Sequence, residues 1–197
     1  QRLELSAASH FDFSSGEISV EYWVYPESVK TATVVGRDGG NQRLWKSGLA
    51  VREIGGVARN VVFHEFFSAP LRGYRESFEG GVAPVGLWTH VVFTCGQGKR
   101  KLFVNGVQVD DVDVAKAPIP AGDVPVSVGS RSDHGEYFHG RIDDVSIYDR
   151  ALEAPEVAAR YSSSTGKKLD PLAVLRNAAW TSFCHSLLCM NEFIYVE

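Results

Sequence analysis

Two adjacent carboxylates, Asp143 and Asp144, head an apolar run within FHGRIDDVSIYDRALEAPEVAARY, residues 138–161. Successive side chains on a strand point to opposite faces, so Asp143 is expected with Val145 and Ile147, and Asp144 with Ile142 and Tyr148. One of the two is then expected beside an apolar interior, where a carboxylate needs donors or a cation. Backbone N–H groups at the strand entrance, Arg141 or Arg150 would serve for Asp143, with Asp144 directed to solvent or a neighbouring turn. His90, in LWTHVVFTC (residues 87–95), shares a face with Trp88, Val92 and Thr94. A ligand or general-base role needs a Ser, Cys or carboxylate partner, and spacing places none, so a half-buried structural histidine is expected.

FCHSLLC near the C-terminus raises a haem or zinc reading. Covalent haem attachment needs Cys-x-x-Cys-His, and Thr181 stands where the first cysteine belongs. Cys184 and Cys189, five apart on a helix, diverge by more than a quarter turn, poor geometry for one metal. With Cys95 they form no disulfide framework, and packing is their expected role. Polar, small-residue loops lie at 36–43 (GRDGGNQR), 69–81 (APLRGYRESFEGG) and 129–140 (GSRSDHGEYFHG). Arg37, Asp38, Asn41, Tyr74, Phe78, Arg131, Asp133, His134 and Tyr137 are the candidates there for a sugar- or peptide-binding rim, since loops on a rigid scaffold collect such sites. The competing reading is ordinary solvated loop.

The elements that must position these residues are short β-type runs up to about residue 150. EISVEYWVYP alternates with both faces partly apolar, which suits a strand inside a two-sheet stack. LWTHVVFTC and KRKLFVNGVQV are joined by GQG, and Asn105-Gly106 in the second is a strong hairpin signal. Further runs are TATVVGR, RLWKSGLAVREI, VARNVVFHEFF, VPVSVGS and GRIDDVSIYDR. The pattern predicts an all-β fold, a two-sheet antiparallel sandwich or jelly roll. A short closing helix follows, with Pro155 in its first turn and Val157, Ala158 and Tyr161 on one face. SSSTGKK then reads as a linker over residues 162–169. From Asp170 and Pro171 a C-terminal amphipathic helix is predicted over 170–197, with Leu172, Leu175, Ala179, Phe183, Leu187, Met190 and Ile194 as its apolar face.

The chain has 197 residues, 44% of them apolar, enough to bury one full core in a domain at 1–161. A net charge of −4 without a Lys/Arg run argues against nucleic acid and anionic membrane as partners. Arg176, Asn177, His185 and Asn191 interrupt the most apolar segment, so no membrane insertion is expected.

Three stretches, in order, resemble signatures of the laminin-G-like, concanavalin A-like jelly-roll domains common in secreted bacterial proteins. ISVEYWVYPES looks like the early Trp-Val-x-Pro strand, and GLWTHVVFTCGQGKRKLFVNGVQV like the Trp-Thr-His-Val strand with its Asn-Gly hairpin. VSVGSRSDHGEYFHGRIDDVSIYDRALEAPEVAARY looks like the terminal Gly-x-Ile-Asp-Asp-Val-x-Ile-Tyr strand with its closing helix. The resemblance covers residues 1–161 and implies a secreted, periplasmic or cell-surface location. It also implies a structural Ca²⁺ at Asp143, because an Asp opening the last strand of related sandwiches often ligates calcium together with loop carbonyls. The hydrogen-bonding reading of Asp143 stays open beside it. Family members usually carry an extra strand before the equivalent of Leu3-Glu4-Leu5, which would leave an edge here for another segment. The tail AWTSFCHSLLCMNEFIYVE is similar to the end of a domain found beside cytochrome c-like modules in planctomycete-type secreted proteins.

Glycoside hydrolases that resemble this sandwich carry Glu-x-Asp-x-x-Glu or Glu-x-Asp-x-Glu, placing two carboxyls about 5 to 5.5 Å apart for a retaining mechanism. No such string occurs. The expected function is a non-catalytic recognition or adhesion module that binds carbohydrate or a protein through its loops, within a larger exported protein and beside other domains of it. The alternative is an accessory domain of a polysaccharide-degrading or cytochrome-linked enzyme.

Overall fold

A computed structural model describes residues 3–5, 13, 16–39, 42–67, 75–113 and 122–168. Asn41, Tyr74, Cys184, Cys189 and the helix expected over 170–197 lie outside the described residues. The elements are β1 (Leu3–Leu5), β2 (Ile18–Pro26), β3 (Ala32–Gly39), β4 (Gln42–Ile54), β5 (Val57–Phe67), β6 (Arg75–Val82), β7 (Thr89–Gly96), β8 (Lys99–Val104), β9 (Val107–Asp113), β10 (Val126–Val128), β11 (Gly140–Tyr148) and α1 (Ala154–Lys168). They form two antiparallel sheets, one of six strands in the order β1-β10-β3-β4-β5-β6 and one of five in the order β11-β2-β7-β8-β9. The all-β sandwich read from the sequence is the observed architecture.

Alternation explains the core. Val20, Tyr22 and Val24 of β2, Trp45 and Leu49 of β4, Val62 and Phe66 of β5, and Val91 and Phe93 of β7 meet in one buried cluster between the sheets. Residues between them point outward, and this puts Lys46 and Glu65 on the outer face of the six-stranded sheet. The turn between β8 and β9 is Asn105-Gly106, with φ of 52° and 76°. Such a pair matches the twist of a two-residue hairpin, and glycine takes positive φ without a Cβ clash.

The outer face of β2 is buried as well, because α1 lies on it. Tyr161 stacks on Trp23 at 5.9 Å between ring centroids and on His90 at 5.7 Å. Val157 and Leu152 pack with Val92 and Phe103 in a second small cluster. Of the predicted helix face, Val157 and Tyr161 make contact, while Ala158 is exposed. The helix also runs on to Lys168, through residues read from the sequence as linker. Ser162 shows how a serine-rich segment stays helical: its Oγ donates to the Ala158 carbonyl one turn back, at 2.9 Å. Two compact units divide at Ser162/Ser163.

Strict alternation fails on β11. The register against β2 shifts between Asp143 and Ser146, and Asp144 has φ 48°. One extra residue in a strand turns the following side chains to the other face. Ile142, Val145 and Ile147 therefore all pack on the main core, and both Asp143 and Asp144 are exposed. Neither carboxylate faces the interior, contrary to the pattern expected from an unbroken strand.

Candidate functional site

The richest cluster of charged side chains among the described residues sits on the outer face of the six-stranded sheet. Its centre is Lys46 on β4, with a nearly buried side chain. The Lys46 Nζ lies 2.9 Å from Glu136 Oε2, 3.5 Å from Glu65 Oε2 on β5 and 3.6 Å from Asp38 Oδ2 on β3. Its ammonium also stands 5.4 Å from the Phe63 ring centroid. Asp38 is fully buried and has two further cations near it, Arg43 at 3.4 Å and Arg131 at 3.7 Å. Neither Asp38 carboxylate oxygen has a hydrogen bond, so its charge rests on these three longer ionic contacts.

Asp38 and Glu136 are driven apart electrostatically. Burial pushes the Asp38 carboxyl above the usual carboxylate range, only partly opposed by Lys46, Arg43 and Arg131. Burial acts in the same sense on Glu136, but there the hydrogen bonds from Lys46 and Thr33 and the charges of Lys46 and Arg131 outweigh it, and the carboxyl is held below its ordinary value. Glu136 accepts from Thr33 Oγ1 at 2.7 Å.

These contacts fasten the segment 129–139 to the sheet. Arg131 pairs with Asp133 and reaches Glu136 at 3.5 Å. The Asp38 carbonyl accepts both the Ser132 N–H at 3.0 Å and the Ser132 hydroxyl at 2.8 Å. Gly39 is required for that approach, because a Cβ on it would stand 2.1 Å from Ser132 Oγ. His134 and Glu136 hold φ of 63° and 51°, a conformation non-glycine residues adopt at a cost and keep only where the surroundings impose it. Tyr137, 45% exposed, lies with its hydroxyl 3.4 Å from His134 Nδ1.

Of the residues singled out in the sequence, Asp38, Arg131, Asp133, His134 and Tyr137 thus share one loop-and-sheet assembly. Arg37 turns away from it: Nε donates to the Val124 carbonyl at 3.0 Å and Nη2 donates to the Gly122 carbonyl. Phe78 is a strand residue on β6, with the Arg100 guanidinium 5.6 Å from its ring. Lys46, Glu65, Glu136 and Arg43 were not singled out. For Lys46, Glu65 and Arg43 the one sequence signal was a charge within a strand, and register across strands is not written in spacing alone; Glu136 lay in the polar 129–140 loop without being distinguished there.

His90 is fully buried, and its Nε2 lies 2.9 Å from Glu21 Oε1. Glu21 Oε2 also accepts from Tyr148 Oη at 2.8 Å and from Arg160 Nη1 at 3.2 Å. Burial raises the Glu21 carboxyl, yet the hydrogen bonds from His90 and Tyr148 and the His90 and Arg160 charges leave it below its ordinary value. This network joins β2, β7, β11 and α1, which gives His90 a structural role with a carboxylate partner that spacing did not reveal. Cys95 is buried, and burial, together with the Glu17 charge, pushes its thiol up to about 11, so it packs rather than reacts.

Asp143 accepts the Asp144 N–H on Oδ1 at 2.8 Å, a turn-type bond within the bulge. Both carboxylates line an open groove of about 1020 Å³, with Leu3, Leu5, Phe138 and Val145 among its apolar walls. Among the described residues no group of three or more His, Cys, Asp or Glu side chains is placed to hold a metal ion.

Asp38 and Glu65, both on Lys46, are nearer to each other than the roughly 9.5 Å outer limit for an inverting pair of carboxyls. Each is nonetheless buried, and the ammonium that a substrate would have to displace already neutralises them. The cluster is built to hold a loop.

Comparison with known proteins agrees with this architecture. A family model described as the concanavalin A-like lectin/glucanases superfamily matches residues 3–158. Over 96 residues the chain is 31% identical to adhesion G-protein coupled receptor D1 of Homo sapiens; the match takes in 46% of this chain and spans 11% of that receptor. The binding domain of Paraclostridial Mosquitocidal Protein 1 superposes with a TM-score of 0.61 at 14% identity, over 82% of this chain and 41% of that one. Domain 4 of an extracellular arabinanase from Geobacillus stearothermophilus, solved with arabinotriose, gives 0.54 at 22% identity, over 80% and 71%. A carbohydrate-binding protein assigned as such in Bacteroides ovatus gives 0.57 at 19% identity, over 80% and 43%. At these identities the structural likeness speaks to fold. A laminin-G-type jelly roll whose match spans all eleven described strands and the start of α1 settles the family: this chain belongs to the concanavalin A-like lectin/glucanases superfamily.

Proposed function

We propose that this domain is a non-catalytic module that binds carbohydrate through the 129–140 loop side of its six-stranded sheet, within an exported protein. The observation that carries the reading is the buried Lys46 network, which fastens that loop, with positive φ at His134 and Glu136, to the sheet beneath exposed polar and aromatic side chains. A site ordered before the ligand arrives loses less entropy on binding. Solved neighbours of this fold include one seen with arabinotriose and one named for carbohydrate binding, which supports a saccharide as the partner. No helix among the described residues is long and apolar enough to cross a membrane.

Affinity electrophoresis through gels containing linear arabinan, xylan, β-glucan or polygalacturonate tests the proposal. Retardation by at least one polymer is expected, reduced in Tyr137→Ala with an unchanged melting midpoint. Migration unaffected by every polymer would overturn it in favour of a protein partner. The accessory-domain alternative predicts the same retardation and differs only in what chemistry the parent chain carries.

The structural calcium ion at Asp143 belongs to this reading as a proposal. Asp143 would hold it with backbone carbonyls. A metal bound by the native state alone must raise the melting midpoint. Equal midpoints in Ca²⁺ and in EDTA would remove the ion from the proposal.

A further inference from the structure

A cleft of about 350 Å³ lies where the locked loop meets the end of β3 and the start of β4. Gly39 and Gln42 line it together with Ser132 and Asp133 on the loop side, Asp123 on the segment before β10, and Glu4 of β1. Its volume is within the usual range of small-ligand sites, about 300–1,000 Å³.

Both flanking segments are hydrogen-bonded into place. The loop side is held by Ser132, whose N–H and hydroxyl both donate to the Asp38 carbonyl. The other side is held twice: the Asp123 N–H donates to Gln42 Oε1 at 2.9 Å, and the buried Arg37 side chain donates to the Val124 and Gly122 carbonyls. Arg37, which does not face the cluster on the sheet, is thereby a positioning residue for the cleft.

The lining also selects. Glu4, Asp123 and Asp133 bring three carboxylates, while no Lys, Arg or His is among the described residues that line it. Of the described cations on the flanking elements, Arg131 is committed to Asp133, Asp38 and Glu136, Arg37 to the Val124 and Gly122 carbonyls, and Arg43 stands 3.4 Å from Asp38. An acidic sugar would set its own carboxylate against these. Hydroxyl groups, by contrast, donate to carboxylate oxygens; Ser132 Oγ, whose proton goes to the Asp38 carbonyl, still accepts, and the Gln42 amide nitrogen donates. Val124 and Pro125 add an apolar strip against which the C–H face of a sugar ring can pack.

Resting on the carbohydrate reading above, we propose that this cleft is the saccharide subsite and that it takes a neutral, hydroxyl-rich sugar of mono- to disaccharide size, excluding uronic acids. The test measures affinity for arabinotriose, xylotriose, cellotriose and digalacturonate by isothermal titration, on the wild type and on Asp123→Ala and Gln42→Ala. Both substitutions are at exposed positions, and melting curves check that the fold is intact. The expected result is binding of at least one neutral oligosaccharide, none of digalacturonate, and a loss of about tenfold in Asp123→Ala, the scale of one hydrogen bond to a charged group, and about fivefold in Gln42→Ala, that of a neutral one. Neutral saccharide binding that both variants retain would overturn the cleft while leaving the carbohydrate reading standing. Preference for digalacturonate would overturn the ligand class. Absence of binding to any of the four, in a protein that polysaccharide gels also fail to retard, would overturn both.

Discussion

At the residue scale the account turns on Lys46. Removing one partner of a buried ionic group leaves the others uncompensated, at about 3–5 kcal/mol. Lys46→Met removes the one cation shared by Asp38, Glu65 and Glu136, leaving Asp38 to Arg43 and Arg131 and Glu136 to Arg131 and Thr33, so a loss at the lower end of that range is expected in urea denaturation. Asp38→Asn is expected to cost less, because burial already disfavours the Asp38 charge. The pH dependence separates them further. Glu21 and Glu136 have folded carboxyls below the ordinary 4.5, so they stabilise above about that pH, and the contribution disappears as pH falls through their folded values. Asp38 is raised above 3.8 and works in the opposite sense, its ionisation costing stability as pH rises. Stability measured from pH 7 downward is therefore expected to fall below about pH 4.5, less steeply in Glu136→Gln and more steeply in Asp38→Asn. A reversed order in the two variants would contradict the assignment. The sequence exposed half of this centre: Asp38 and Arg131 stood out in polar loops, whereas Lys46 and Glu65 sat inside strands whose lateral pairing no local pattern records.

At the element scale, α1 and the five-stranded sheet support the binding face without belonging to it. Leu152 is buried between α1 and the strands, and truncating a buried leucine costs about 2–5 kcal/mol. Leu152→Ala is expected to lower stability by that amount and to accelerate amide exchange in α1, with saccharide affinity unchanged under native conditions. Gly106 couples the β8–β9 turn to the same helix, since a Cβ there would stand 2.9 Å from the Tyr161 ring at a positive φ. Gly106→Ala is expected to lower the melting midpoint. The hairpin itself was legible, because Asn-Gly is a local signal with a backbone cause. The bulge at Asp143 was not: nothing in IDDVSI states that one residue is skipped, yet that residue decides which side of the sheet both carboxylates occupy. The serine-rich stretch misled for a related reason, as composition marks a chain that is able to be flexible, and one hydroxyl bonding back a turn is enough to continue a helix.

At the scale of the whole molecule, two stacked sheets leave their connecting segments as the place where recognition chemistry gathers. Alternating short strands, turn residues and the three family-like stretches made that architecture readable before any coordinates. Which loop is held rigid, and by what, required the strands to be laid side by side. The central claim is that ligand meets the protein at the loop end of the six-stranded sheet. Amide chemical-shift mapping during titration with the neutral oligosaccharide of highest affinity tests it most directly. The account predicts perturbations grouped at residues 37–46, 122–124 and 131–137. Shifts confined to the groove along β11 or to α1, or no shifts with any neutral oligosaccharide, would contradict it.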